Sequence, residues 1–157
     1  MSSQAPVVGV LVASPAELSV MQQATAILEK LGVAHEIRVV SAARNPDLVD
    51  EYTRTAFERG LRVLICTTGI SGHLASAAAA RTVLPVVGVP VASEQMGGEQ
   101  ALYVTAQMPS GVPVATVGVD AAVNAAVLAA EIVGVGDPDV QVRLWKFKDD
   151  LAEGLRL

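Results

Sequence analysis

Between Leu61 and Thr82 the chain runs from an apolar strand through a small-residue turn directly into an alanine-rich helix. Val63, Leu64, Ile65 and Cys66 form the strand-like run, Thr67 to Gly72 the turn, and His73 precedes a helix through Ala75, Ala77, Ala78, Ala79 and Ala80. A strand that feeds a helix through so short a turn belongs to a parallel sheet covered by helices. Composition agrees. Hydrophobic residues make up 52% of the 157, yet only five are aromatic, so Val, Ala, Leu and Ile must build the core. Such a core suits buried parallel strands under closely packed helices. Backbone N–H groups at the helix start face outward and bind anions readily. The glycines let a ligand approach the backbone. Thr68, Gly69, Ser71 and Gly72 are therefore candidate ligand contacts, and His73 stands at the mouth of the turn. A lone histidine in that place either caps the helix or serves the site.

The rest of the chain alternates in the same way. Val7–Ala13 is a β-branched run too short for a helix and reads as strand one. Ser14 can cap the following helix, Pro15 suits its first position and Glu17 its electropositive first turn. Leu18, Met21, Ala24, Ile27, Leu28 and Leu31 repeat at helical spacing up to Gly32. His35–Val40 is strand two, with His35 at its entry in a structural or exposed role. Asn45-Pro46-Asp47 opens the next helix, which runs to Gly60. Val86–Val89 is strand four, Gly97–Gln107 a weak helix packed through Leu102 and Tyr103, and Pro113–Val119 strand five. Ala121–Val133 is apolar nearly all round, broken only by Asn124 and Glu131. A helix without a polar face is buried on every side, and in a chain this small that implies a subunit interface. An amphipathic last helix, about 139–155, carries Val140, Leu144, Phe147 and Leu151 and is expected to pack on neighbours.

The expected fold is therefore a single α/β domain over residues 1–157. It is a three-layer, doubly wound parallel sheet of about five strands, flavodoxin- or Rossmann-like, with right-handed crossovers. Ligands in such sheets sit beyond the carboxyl ends of the strands. That rule selects Ser14 after strand one, Ser41 and Arg44 after strand two, Thr67 to His73 after strand three, and Ser93 after strand four. Small hydroxyls, glycines and one fixed cation on one rim suit a sugar and a phosphate, with Arg44 matching two phosphate oxygens at once.

Several function classes are disfavoured. No GxGxxG or GxxxxGK[ST] pattern occurs, which argues against dinucleotides and P-loop nucleotides. The net charge of −5 and the absence of a basic stripe argue against nucleic acid. Cys66, the one cysteine, cannot pair within the chain and reads as a small buried hydrophobe. The first residues carry no basic segment followed by an apolar core, and no apolar run is long enough to span a bilayer. A soluble cytoplasmic protein without membrane partners is expected.

Several blocks, in order, resemble the PurE family, the N5-carboxyaminoimidazole ribonucleotide mutases and aminoimidazole ribonucleotide carboxylases of purine synthesis. Val39-Val40-Ser41-Ala42-Ala43-Arg44-Asn45-Pro46 is similar to the family's V-V-S-A-H-R-T-P, and Leu84–Val91 to its V-P-V-L-G-V-P-V. Leu102-Tyr103, Gln107-Met108-Pro109 and Gly111–Val114 follow its S-L-Y-S-I-V-Q-M-P-x-G-I-P-V, and His73-Leu74 matches the H-L of G-G-A-A-H-L-P-G. The resemblance implies a three-layer fold, a homo-octamer, a small-molecule carboxylate substrate and CO2 chemistry without metal or organic cofactor. It also implies a mechanism. A carbamate loses CO2 in a closed site, the imidazole carbon recaptures it, and the histidine of S-A-H-R shuttles the proton.

The departures concentrate in the site. Ala43 stands where that histidine is expected, and G-S-x-S-D has become Ala13-Ser14-Pro15-Ala16-Glu17. The loop G-G-A-A-H-L-P-G reads Gly69–Ser76, A-L-S-G-x-D-S-L reads Gln95–Leu102, and the loop before the apolar helix is shortened around Val119-Asp120-Ala121. Ser41, Arg44, His73 and Ser93 remain, so the phosphate end is kept and the chemistry end rebuilt. Three functions stay open. The leading one is a cofactor-free decarboxylase or carboxyl-transfer enzyme acting on an aminoimidazole-ribonucleotide-like or other heteroaromatic carboxylate. His73, Glu17 or Glu94 would supply its proton, with His73 and Glu17 as the catalytic pair. The second is the mutase itself, inactivated at Ala43, against which the changes at Ala16, Ile70 and Gln100 count. The third is a non-catalytic ligand-binding octamer.

Overall fold

The computed structural model describes residues 5–69, 72–94 and 97–157. Five parallel strands, β1 (Val8–Val12), β2 (His35–Val39), β3 (Val63–Thr68), β4 (Val86–Pro90) and β5 (Ala115–Thr116), lie in the order β2-β1-β3-β4-β5. This is the doubly wound order expected. The central pair is in register from Val8 opposite Val63 to Leu11 opposite Cys66. Every residue of β1, β3 and β4 is buried, as two-sided coverage of parallel strands demands.

Helices α1 (Leu18–Lys30), α5 (Ala122–Gly134) and α6 (Pro138–Ala152) cover one face with Val8, Val10, Val12, Val63 and Ile65. On the other, α2 (Pro46–Thr55) and α3 (His73–Ala79) enclose Leu11, Leu64, Cys66 and Val86, and α4 (Glu99–Ala106) packs on β4 beside them. Ser14 caps a 3-10 turn, Pro15–Glu17, that leads into α1, its Oγ accepting from Ala16 N. Asp137 caps α6 by accepting from Asp139 N and Val140 N. Among the described residues no helix is long and apolar enough to cross a membrane.

The apolar α5 packs one face against α1, α6, β3 and β4 of its own chain, with Ala122, Ala125, Ala126, Ala129 and Ala130 fully buried. Alanine on that face lets neighbouring helices come close, while Val123, Val127, Leu128 and Ile132 are only partly buried on the rest of the helix. Two local expectations are corrected. In α4 the packing residues are Ala101 and Thr105, while Tyr103 is exposed and donates to Glu99 Oε1. The reason lies in β4: a Cβ on Gly88 would stand 2.4 Å from Thr105 Cγ2, so α4 approaches on small residues and not on its largest. Strand β5 spans two residues, not seven. Pro113 has no N–H to give, and beyond Thr116 the chain meets β4 through isolated bonds, from Val117 N to Gly88 O and from Asp120 N to Pro90 O.

The edge strand β2 is tied to α2 by a charged cluster. Tyr52 Oη donates to Glu36 Oε1 at 2.8 Å, and Arg59 Nη1 reaches the same oxygen at 2.7 Å. Arg38 pairs with Oε2 at 3.4 Å. Burial alone would push the Glu36 carboxyl up, but hydrogen bonds from Arg59 and Tyr52 and the two guanidinium charges outweigh it and hold it below its ordinary 4.5. A carboxylate whose pKa falls on folding adds stability above its unfolded pKa and loses it as pH drops through the folded value. Glu36→Gln is therefore expected to lower Tm near neutral pH. The gap to wild type should close as pH falls below about 4.5, which thermal melts between pH 3 and 8 will check.

Cys66 lies at the centre of β3, fully buried, and burial pushes its thiol up to about 12. His35 opens β2 at the opposite end of the sheet from the strand C-termini, its Nδ1 3.0 Å from Val33 O.

Candidate active site

Four strand ends deliver the residues of one cleft. Beyond β1 come Ala13, Ser14, Ala16 and Glu17, and beyond β2 come Ser41, Ala43 and Arg44. Gly69 follows β3, and Val91 to Glu94 follow β4, with Val20 of α1 closing one side. The cleft holds about 750 Å³ and crosses the β1–β3 junction, where the strand order reverses. Ligands of such sheets bind at that reversal. Elsewhere a hollow of about 260 Å³ between α5 and α6, beside Trp145, lies far from the strand ends and is mainly apolar.

Local bonds fix the rim. Thr67 Oγ1 accepts from Ala13 N at 2.9 Å, joining the ends of β1 and β3. Arg44 Nη2 donates to Ala13 O at 3.1 Å, and Arg44 N donates to Ser41 Oγ at 3.2 Å. Ser14 Oγ accepts from Ala16 N at 3.3 Å. Both serine hydroxyls thus act as acceptors towards the backbone and keep their O–H for a ligand. Arg44 is the cation among the described lining residues, and it uses one of five donors on Ala13. Ser93 is held by paired backbone bonds with Gly97.

Glu17 is the most enclosed titratable group of the lining. A Cβ on Gly69 would lie 2.9 Å from its Oε1, so a glycine is what admits the carboxylate between the β1 and β3 ends. Its Oε2 is shut off from solvent and has no hydrogen-bond partner among the described residues. Glu94, by contrast, is exposed.

The cleft brings together Ser14, Glu17, Ser41, Ala43, Arg44, Gly69, Ser93 and Glu94 of the residues expected from sequence. It does not bring in the rest. Thr68 is buried at the end of β3 with Oγ1 unpartnered among the described residues. Gly72 is also buried, at φ +63°, where a Cβ would collide with Val104. His73 is the exposed first residue of α3 and is not among the described lining residues. Gly72, in the left-handed region, is the N-cap of α3, whose first residue is His73. Ser71 lies outside the described residues.

Sequence reasoning overlooked Asp120. Its Oδ1 accepts from Ala92 N at 3.0 Å and its N–H donates to Pro90 O at 2.8 Å, pinning the loop that carries Ser93 and Glu94. The available signal was its residue type, since Asp is one of the few non-glycine residues that tolerate positive φ. Ala13, Ala16, Val20, Val91 and Ala92 also line the cleft, and nothing in their chemistry marks them out. Among the described residues no three His, Cys, Asp or Glu side chains gather as a metal site would require.

The family model for AIR carboxylase matches residues 7–154. The chain belongs to the AIR carboxylase family. An N5-carboxyaminoimidazole ribonucleotide mutase of Pyrococcus abyssi is 44% identical over 146 residues, 93% of this chain and 84% of the relative. A protein of the same name from Thermotoga maritima is 44% identical over 144 residues, 92% of this chain and 84% of its own. The crystal structure of Treponema denticola PurE superposes with a TM-score of 0.84 at 23% identity, covering 94% of this chain and 92% of that one, and speaks for the fold. The resemblance carried by the sequence blocks is thereby confirmed at the level of family and architecture. Within this AIR carboxylase cleft, position 43 presents only a methyl group.

Proposed function

We propose that the cleft binds an aminoimidazole ribonucleotide bearing a carboxylate and moves that carboxylate between nitrogen and carbon, as the mutase relatives are named for doing. The observation that carries this reading is the switch-point cleft itself. It sets Arg44, Ser14 and Ser41 on one rim in a chain 44% identical over 93% of its length to a mutase. Arg44 would take the phosphate through its planar fork, with the serine hydroxyls beside it on phosphate or sugar oxygens. The far side of the cleft, apolar at Val20, Val91 and Ala92, would shed water from the imidazole and from free CO2. These relatives favour the mutase over the specialised decarboxylase that the altered loops first suggested.

The test is direct. Purified protein incubated with N5-carboxyaminoimidazole ribonucleotide, or with its C-carboxylated isomer, is followed by mass spectrometry and ultraviolet absorbance. Interconversion of the two is expected. Release of CO2 from another heteroaromatic acid, with no binding or conversion of either ribonucleotide, would replace this reading with the decarboxylase.

A further inference from the structure

Resting on that proposed function, we infer that Glu17 carries the proton that must move each time the carboxylate moves. The chemistry demands a carrier. When the N–CO2 bond breaks, its electron pair stays on nitrogen, which takes up a proton as neutral CO2 departs. When the ring carbon then bonds to CO2, that carbon must give up its hydrogen, and the C–H electrons restore the ring double bond. One proton leaves carbon and one arrives on nitrogen, so a single group can deliver and reclaim it with no net change.

Candidates within the cleft are few. Ala43 has nothing to offer. Arg44 offers only N–H donors and is engaged with Ala13 O. Glu94 is exposed, and His73 is outside the lining. Glu17 alone combines enclosure with an unpaired polar atom, because its Oε2 is sealed from solvent and lacks a partner among the described residues. Leaving a buried carboxyl oxygen unpaired is costly, and an Oε2–H directed at the substrate nitrogen would supply the missing hydrogen bond. The position fits as well. Glu17 lies at the start of α1, over Gly69, in the crevice between the β1 and β3 ends. Glu17 N donates to Ser14 O at 3.0 Å, so its side chain starts one turn from the rim that carries Ser14 and Arg44 and extends towards Gly69. The Glu17 carboxyl would give its proton to nitrogen as CO2 leaves and take back the proton from carbon afterwards.

The experiment compares wild type with Glu17→Gln, Glu17→Asp and the double variant Glu17→Gln/Ala43→His. Turnover of N5-carboxyaminoimidazole ribonucleotide is measured beside calorimetric binding of the product ribonucleotide, with thermal melts to confirm folding. Positioned acid–base groups contribute about 10²–10⁴-fold, so Glu17→Gln should lose kcat by about that factor while Kd changes less than about threefold. Glu17→Asp, which keeps the acid but shortens its reach, should lose kcat at unchanged Kd. An imidazole at position 43 should restore at least tenfold of the rate missing in Glu17→Gln. Retention of kcat in Glu17→Gln would overturn the inference. So would a Kd that rises in step with the loss of turnover, which would make Glu17 a binding residue. A wild-type protein that binds the ribonucleotides without converting them also overturns it, whereas one that binds neither refutes the proposed function underneath.

Discussion

Ala126→Asp is expected to yield no folded protein at 25 °C. Ala126 is fully buried in α5, within the apolar layer that includes Met21, Ala24 and Leu28 of α1. An aspartate there places an unpaired carboxylate in a layer with no cation to meet it, which costs several kcal/mol even after relaxation. The added atoms must also displace closely packed neighbours, for about 1–3 kcal/mol more. Domains of this size are stable by about 5–15 kcal/mol in all, so the sum removes most or all of it. Asn124→Asp, on an exposed position of the same helix, is the control and should stay within about 0.5 kcal/mol of wild type. Circular dichroism and size-exclusion with light scattering will decide. A folded Ala126→Asp protein of wild-type stability would show that the layer between α5 and α1 accepts the charge, and would overturn this expectation.

Arg44→Ala is expected to weaken binding of phosphorylated aminoimidazoles by about 1.5–3 kcal/mol, the range for a hydrogen bond to a charged group, or roughly 10- to 150-fold in Kd. The guanidinium is held towards the cleft by its bond to Ala13 O, and its remaining donors are disposed as a planar fork. Arg44→Lys keeps the charge but loses both the fork and that anchoring geometry, and should recover only part of the affinity. The nucleoside without its phosphate should bind wild type and Arg44→Ala alike. Isothermal calorimetry with the five ligand–variant combinations checks this. If phosphorylated ligands bind Arg44→Ala as tightly as wild type, the anion is held elsewhere.

The physical signals that could be read without coordinates were those set by local chemistry. Val8–Val12, Val63–Thr68 and Val86–Pro90 are buried on both faces, so each appears as an unbroken apolar run that needs no partner information to recognise. Ser14, Pro15 and Asn45-Pro46 announce helix starts because capping and proline geometry act within a few residues. The carboxyl-end rule selects Ser14, Ser41, Arg44 and Ser93, and all four line the one cleft. What escaped depended on distant neighbours. Thr105 packs in α4 only because Gly88, seventeen positions earlier, leaves it space. The burial of α5 depends on where α1 and α6 fall. His73 borders the glycine-rich turn in sequence, yet it is the exposed first residue of α3 and not among the described lining residues, a placement that local chemistry does not announce. Glu17 was identified as a first-turn acid, and only the absence of a Cβ at Gly69 reveals why its carboxylate can enter the crevice.

The placement of Cys66 has a practical outcome. It is the only thiol in the chain, sits at zero exposure in the middle of β3, and its pKa near 12 leaves almost none of it as thiolate at neutral pH. A thiol reagent can reach it only when the central strand separates from both of its neighbours, an event close to complete unfolding. The native protein therefore contains its own opening clock. The rate at which Cys66 is labelled in dilute reagent follows the population of the unfolded chain, and a cysteine introduced on the cleft rim would be labelled alone.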